Sequence, residues 1–190
     1  MKSHQVTGGG DIRLHIVNTG NSRGRPILFI HGFSQCWLAW SRQLNSDLAD
    51  DHRLVAMDIR GHGLSDRPHE GYSDSGLWTD DVNAIIHALG LDHPILCVGS
   101  YGSLVILDYI RRYGENGIGG IHLVGGVIKL GSEQALSIVT PEFLSLYRVS
   151  FATGVEESVR SLESLLRLSG RPSTTGSGSS QETDKTPSHR

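Results

Sequence analysis

Cysteine is nearly missing from this 190-residue chain. The two present, Cys36 and Cys97, are fewer than a disulfide framework requires, and their apolar or aromatic neighbours predict two small buried thiols. Long apolar runs are missing too. Stretches such as 27–30 and 104–107 fall far short of the ~18 residues of a membrane-spanning helix, so no span is expected. An excess of positive charge is also lacking. A net charge of −3 leaves no basic face for nucleic acid. The first five residues hold one lysine and no apolar stretch after it, so no secretory signal is expected and the default compartment is the cytoplasm. No fixed-period repeat is visible, which excludes solenoids and propellers.

With 37% hydrophobic residues, the chain can build one core. Residues 169–190 contain no Leu, Ile, Val, Phe, Met, Trp, Tyr, Cys or Ala, so this tail is expected to be disordered. Before it, short apolar strands alternate with helical periods, the pattern of a sheet with helices on its faces. Residues 11–18 alternate as an early, half-exposed strand. Runs 26–30, 53–57 and 94–98 read as buried parallel strands, with 118–124 as a fourth. Between them, Trp37, Trp40, Leu44 and Leu48 mark one helical face, and Trp78, Val82, Ile85, Ile86 and Leu89 another that Gly90 closes. Residues 104–110 are apolar nearly all round, as expected of a helix deep against the sheet. A last stripe, Val155, Val159, Leu162, Leu165 and Leu166, starts at a capping-box spacing of Thr153 and Glu156.

The loops after the strands carry the chemistry, because active sites of doubly wound sheets collect at the strands' carboxyl ends. After the first buried strand comes His31-Gly32-Phe33-Ser34. The second is followed by Asp58-Ile59-Arg60-Gly61-His62-Gly63-Leu64-Ser65-Asp66, and the third by Gly99-Ser100-Tyr101-Gly102-Ser103, where a helix begins at once. In this order the three loops resemble the α/β-hydrolase family, over about residues 5–168. The resemblance implies a mostly parallel, doubly wound sheet, incomplete after about strand six and the start of a helical cap. The expected organisation is a core over 1–128, a partial cap over 129–168 and the tail over 169–190.

That resemblance also implies roles. Ser100 stands where the nucleophile of an esterase-like enzyme would act through an acyl-enzyme. The N–H groups of Phe33 and Tyr101 would form the oxyanion hole. His31, Gly32, Asp58, Arg60, Gly61, His62 and Gly63 would shape the surrounding loops, the histidines by orienting backbone rather than by shuttling protons. Trp37, Phe143 and Tyr147 would line an apolar pocket for a small apolar ester. No metal or organic cofactor is implied. Epoxide hydrolases and dehalogenases share the fold but carry an aspartate where Ser100 stands, whereas perhydrolase-type haloperoxidases of the same family share the serine. A competing reading makes Ser100 a helix N-cap in a non-catalytic or ligand-binding module.

Two departures from the family bear on activity. Its elbow reads Gly-x-Ser-x-Gly, and here one residue is missing between Gly99 and Ser100, which predicts a displaced Ser100 hydroxyl. The acid and base should follow the serine, yet downstream the histidines are His122, inside a strand, and His189, in the tail, and no aspartate stands between Asp108 and Asp184. The abrupt change after Leu168 and the awkward Tyr147-Arg148-Val149 stretch suggest a chain whose final third has been replaced or lost. An uncovered sheet edge and the 155–166 stripe then predict self-association.

Overall fold

A computed structural model describes residues 1–129, 140–152 and 155–169. The chain divides into two units, Met1–Leu136 and Ser137–Arg190. In the first, β1 (Lys2–Thr7), β2 (Arg13–Gly20), β3 (Arg25–Ile30), β4 (His52–Met57), β5 (Ile95–Gly99) and β6 (Gly120–Val124) form one sheet. Its order is β1-β2-β4-β3-β5-β6. The β1–β2 and β2–β4 pairs are antiparallel, and the β4–β3, β3–β5 and β5–β6 pairs are parallel. This is the mostly parallel sheet of the expected class.

Side chains alternate across the pleat and thereby build two cores. Leu28 and Ile30 of β3, Val55 and Met57 of β4, and Leu96 and Val98 of β5 face one side. There they meet Trp78, Val82, Ile85 and Ile86 of the helix Ser75–Ala88, and Val105, Ile106 and Tyr109 of the helix Gly102–Tyr113. Ile27, Phe29, Leu54, Ala56 and Cys97 face the other side, under Trp40 and Leu44. In chain order the helices are α1 (Ser41–Leu44), α2 (Leu48–Asp51), α3 (Ser75–Ala88) and α4 (Gly102–Tyr113), then, in the second unit, α5 (Pro141–Ala152) and α6 (Val155–Ser169). There the Ser161 hydroxyl donates to the Leu146 carbonyl at 2.6 Å, tying α6 to α5.

Several expectations are corrected. The Trp37–Leu48 stripe is not one helix: a 3-10 turn, Trp37–Trp40, leads into two single-turn helices, and only Trp40 and Leu44 of the stripe are fully buried. β2 is not half-exposed, because Leu14, His15, Ile16 and Val17 are all buried between β1 and β4. β6 is not a buried strand. Ile121, Leu123 and Val124 are 40%, 48% and 44% exposed, since among the described residues β6 pairs with β5 alone. Cys36 is half-buried rather than buried. Residues 147–149 continue α5 without a break. Residues 2–7, too polar to read as a strand, pair with β2 as a sheet edge. The tail beyond Ser169 and Thr153 of the capping box lie outside the described residues.

The loop after β4 is pinned by a buried ion pair. Arg60, 1% exposed, gives Nε to Asp81 Oδ2 at 2.8 Å and Nη2 to Oδ1 at 2.7 Å. Its Nη2 also donates to the Gly9 and Leu77 carbonyls, each at 2.9 Å, and the guanidinium lies over the Trp78 ring. Burial pushes the Asp81 carboxyl up against the opposing pull of Arg60. Removing one member leaves an uncompensated buried charge, which costs about 3–5 kcal/mol, whereas replacing both by apolar groups costs much less. Urea unfolding should therefore show Arg60→Met far less stable than the Arg60→Met/Asp81→Leu double variant. Equal losses in the two would refute this ranking.

Candidate active site

The order β4-β3-β5 places a topological switch at β3: the chain leaves it toward β4 on one side and later returns to β5 on the other. Loops leaving β3 and β5 at their carboxyl ends thus part in opposite directions and open a crevice. His31, Gly32 and Phe33 lie on one lip, and Ser100 on the other.

Ser100 follows β5 directly and adopts φ +44°, a left-handed conformation that is uncommon for a residue with a side chain. Pairing between β5 and β6 runs unbroken to Gly99 opposite Val124, and the Ser100 N–H donates to the Val124 carbonyl at 3.1 Å. The strand therefore keeps its register up to the turn that holds Ser100. Helix α4 starts two residues later, at Gly102. Its N-cap is Tyr101, with no side-chain capping bond, so the N-cap reading of Ser100 is corrected. The Ser100 side chain is exposed.

Close approach explains the small residues around this turn. A Cβ on Gly102 would come within 3.0 Å of the Ile30 and His31 carbonyls, and one on Gly32 within 3.0 Å of Ser100 Cβ. Without side chains at these two positions the two lips can meet.

Asp58 organises the floor. Fully buried, it accepts from the Trp37 N–H at 2.7 Å, the Leu64 N–H at 3.0 Å and His15 Nδ1 at 2.8 Å. Gly63 passes beside this carboxylate at φ +51°, where a Cβ would collide with it. Both ring nitrogens of His31 are held by backbone: Nδ1 donates to the Gly32 carbonyl at 2.7 Å, and Nε2 accepts from the Ile59 N–H at 3.2 Å. His62 Nδ1 bonds the Arg60 carbonyl at 2.9 Å, and its Nε2 accepts from the Ser34 N–H at 3.2 Å. Gly61, at φ +78°, packs under Tyr72.

An aromatic chain borders the crevice. His31 and His62 rings lie 5.4 Å apart, His62 and Phe33 5.6 Å, Phe33 and Tyr101 6.2 Å, and Tyr101 and Trp78 5.4 Å. A cleft of about 130 Å³ opens beside Tyr101, lined by Tyr72, Trp78, Leu104, Val105 and Asp108 among others. Trp37, expected to line a pocket, is not among its described walls. Trp37 packs against the Trp40 cluster beneath the sheet. Phe143 belongs to the second unit and is exposed, and the side chain of Tyr147 lies outside the described residues. Nothing in the sequence singles out Tyr72, which sits in a polar loop, and helical periodicity marks Trp78 only as part of a helix's core face.

A Gly-Ser turn in left-handed geometry between strand and helix, at a switch point, is the frame of an α/β-hydrolase. Comparison with known proteins agrees. The family model for the alpha/beta hydrolase fold matches residues 25–166, and the chain belongs to that family. Epoxide hydrolase 1 of Caenorhabditis elegans is 40% identical over 106 residues, covering 55% of this chain and 26% of that protein. AB hydrolase superfamily protein YisY of Bacillus subtilis is 34% identical over 110 residues, 58% of this chain and 40% of that one. Among solved structures, the esterase RhEst1 from Rhodococcus sp. ECU1013 superposes with a TM-score of 0.78 at 36% identity, covering 86% of this chain and 60% of that chain. The chain thus spans well under half the length of these curated relatives. No helix among the described residues is long and apolar enough to cross a membrane.

Burial pushes the His31 imidazole down to about 4, with the nearby His62 adding to the effect and the Gly32 carbonyl opposing it. The folded ring then stays neutral while the unfolded one, near its ordinary 6.5, takes up a proton. Between those values the unfolded state binds more protons, so stability rises with pH and is lost as pH falls from about 6.5 to 4. The full loss is on the order of 3 kcal/mol. Chemical denaturation at a series of pH values should show this slope in the wild type and a flatter one in His31→Gln; identical slopes would assign the acid sensitivity elsewhere.

Proposed function

We propose that the chain carries the nucleophile half of a serine hydrolase acting on small apolar esters through an acyl-enzyme on Ser100. The observation that carries this reading is the left-handed Ser100 between β5 and α4, opposite Gly32, in a chain of this family. On attack, the Ser100 Oγ bonds the carbonyl carbon and the carbonyl oxygen becomes an oxyanion. The N–H groups of Phe33 and Tyr101 are the donors assigned to it, aided by the N-terminal end of α4. Tyr72, Trp78 and Tyr101 supply the apolar wall for the acyl or alcohol group. The epoxide hydrolases among the relatives suggest a second substrate class, but epoxide opening on this fold calls for an aspartate at the nucleophile position, where this chain has Ser100.

A serine needs a base. The Ser100 hydroxyl has no hydrogen-bond partner among the described residues, and His31 on the opposite lip has both nitrogens occupied. That observation favours a second reading, a hydrolase-like binding module. Within the first reading, activity without the base retains only what positioning and the oxyanion site provide, about 10³–10⁴ above water. p-Nitrophenyl acetate followed by acid quench and peptide mapping separates the two. Acetyl on Ser100, absent from Ser100→Ala, supports the hydrolase; an unlabelled Ser100 under saturating ester supports the binding module.

A further inference from the structure

From the floor of the crevice to the edge of the sheet, three side chains form an unbroken relay. Ser3 Oγ lies 2.9 Å from His15 Nε2, and His15 Nδ1 lies 2.8 Å from Asp58 Oδ2. Ser3 is exposed on β1, His15 is buried in β2, and Asp58 is fully buried directly after β4. Asp58 already receives N–H groups from Trp37 on Oδ1 and Leu64 on Oδ2, so it presents acceptor lone pairs to its third partner. His15 must then donate from Nδ1, which leaves Nε2 as an acceptor. Ser3 is the donor to it. The tautomer that a serine nucleophile needs is therefore set by the surrounding backbone.

We infer that Ser3 is a second acylation site, with His15 as its base and Asp58 holding the imidazole, open to small activated acyl donors such as aryl acetates. The relay uses no atom of Ser100. In the step, Ser3 Oγ bonds the acyl carbon as its proton passes to His15 Nε2, the aryl C–O bond breaks, and the phenolate departs with the electron pair. The imidazolium then releases its proton to solvent. Water returns along the same path: its oxygen bonds the acyl carbon, its proton passes to Nε2, and Ser3 Oγ leaves and takes that proton back. β1 is the edge of the sheet, and alternate N–H groups of an edge strand point away from its neighbour, which leaves donors on the same strand for the developing oxyanion. The exposed position also sets the substrate class: with no enclosing wall, leaving-group activation has to replace binding energy.

The test is acetylation of the full chain by p-nitrophenyl acetate, read by peptide mapping. The tryptic peptide 3–13 carries Ser3 and Thr7 as its hydroxyls. Ser3 should acquire acetyl at least tenfold faster than Thr7 or the loop serines Ser22 and Ser73, unchanged in Ser100→Ala, and the excess should vanish in His15→Gln. Because His15 is buried, that variant is first checked for cooperative melting. If it fails to fold, Ser3→Cys replaces it: the thiol should react with iodoacetamide at pH 7 at least tenfold faster in the folded chain than in urea. Labelling of Ser3 no faster than the other hydroxyls, labelling unchanged in folded His15→Gln, or a Ser3→Cys thiol no faster folded than unfolded would each overturn the assignment. Since Ser3 and Ser100 are read on separate peptides, either site can fail without the other.

Discussion

Much of the first unit depends on one buried carboxylate. Asp58 follows β4 directly and has no exposure to water, a position whose desolvation is tolerable only if donors replace the lost hydration. They come from three different segments: His15 from β2, Trp37 from the loop beyond β3, and Leu64 from the loop beyond β4. Each bond is short, and together they fix the relative positions of strands and loops far apart in sequence. Gly63 stays a glycine because the chain must pass beside this carboxylate in left-handed geometry.

A second constraint works at the lips of the crevice. The parallel β3–β5 pair brings two loops within one strand spacing of each other, and they can approach further only where side chains are absent. Gly32 and Gly102 supply that absence, and Ser100 is lifted between them. The histidines beside it are spent on backbone groups, which makes them rigid spacers. His31 is held neutral by burial, consistent with a ring that orients a loop instead of carrying protons.

The same carboxylate links two places that share no reacting atom. Through His15 it reaches Ser3 at the sheet edge, and through Trp37 and Leu64 it braces the loops around the crevice. A perturbation at Asp58 should therefore be felt in both. This coupling is structural, carried by hydrogen bonds to one pair of oxygens, and needs no long-range conformational change.

The sequence by itself determined the alternation of strands and helices, the sites of β3, β4 and β5, and the glycine-flanked serine, because burial on both faces demands continuous apolar runs and tight turns demand small residues. It left Lys2–Thr7 invisible, since an edge strand needs no apolar pattern, and with it the alignment of Ser3 and His15, which are 12 positions apart. It also misjudged β6, whose apolar composition resembles an inner strand although no further strand among the described residues pairs with its outer edge. Only the tertiary structure decided that Tyr72 and Trp78, and not Trp37, wall the cleft, and that Asp58 faces His15. Such contacts depend on how loops from different strands cross above the sheet, and the chemical identity of each residue says nothing about which others it will meet.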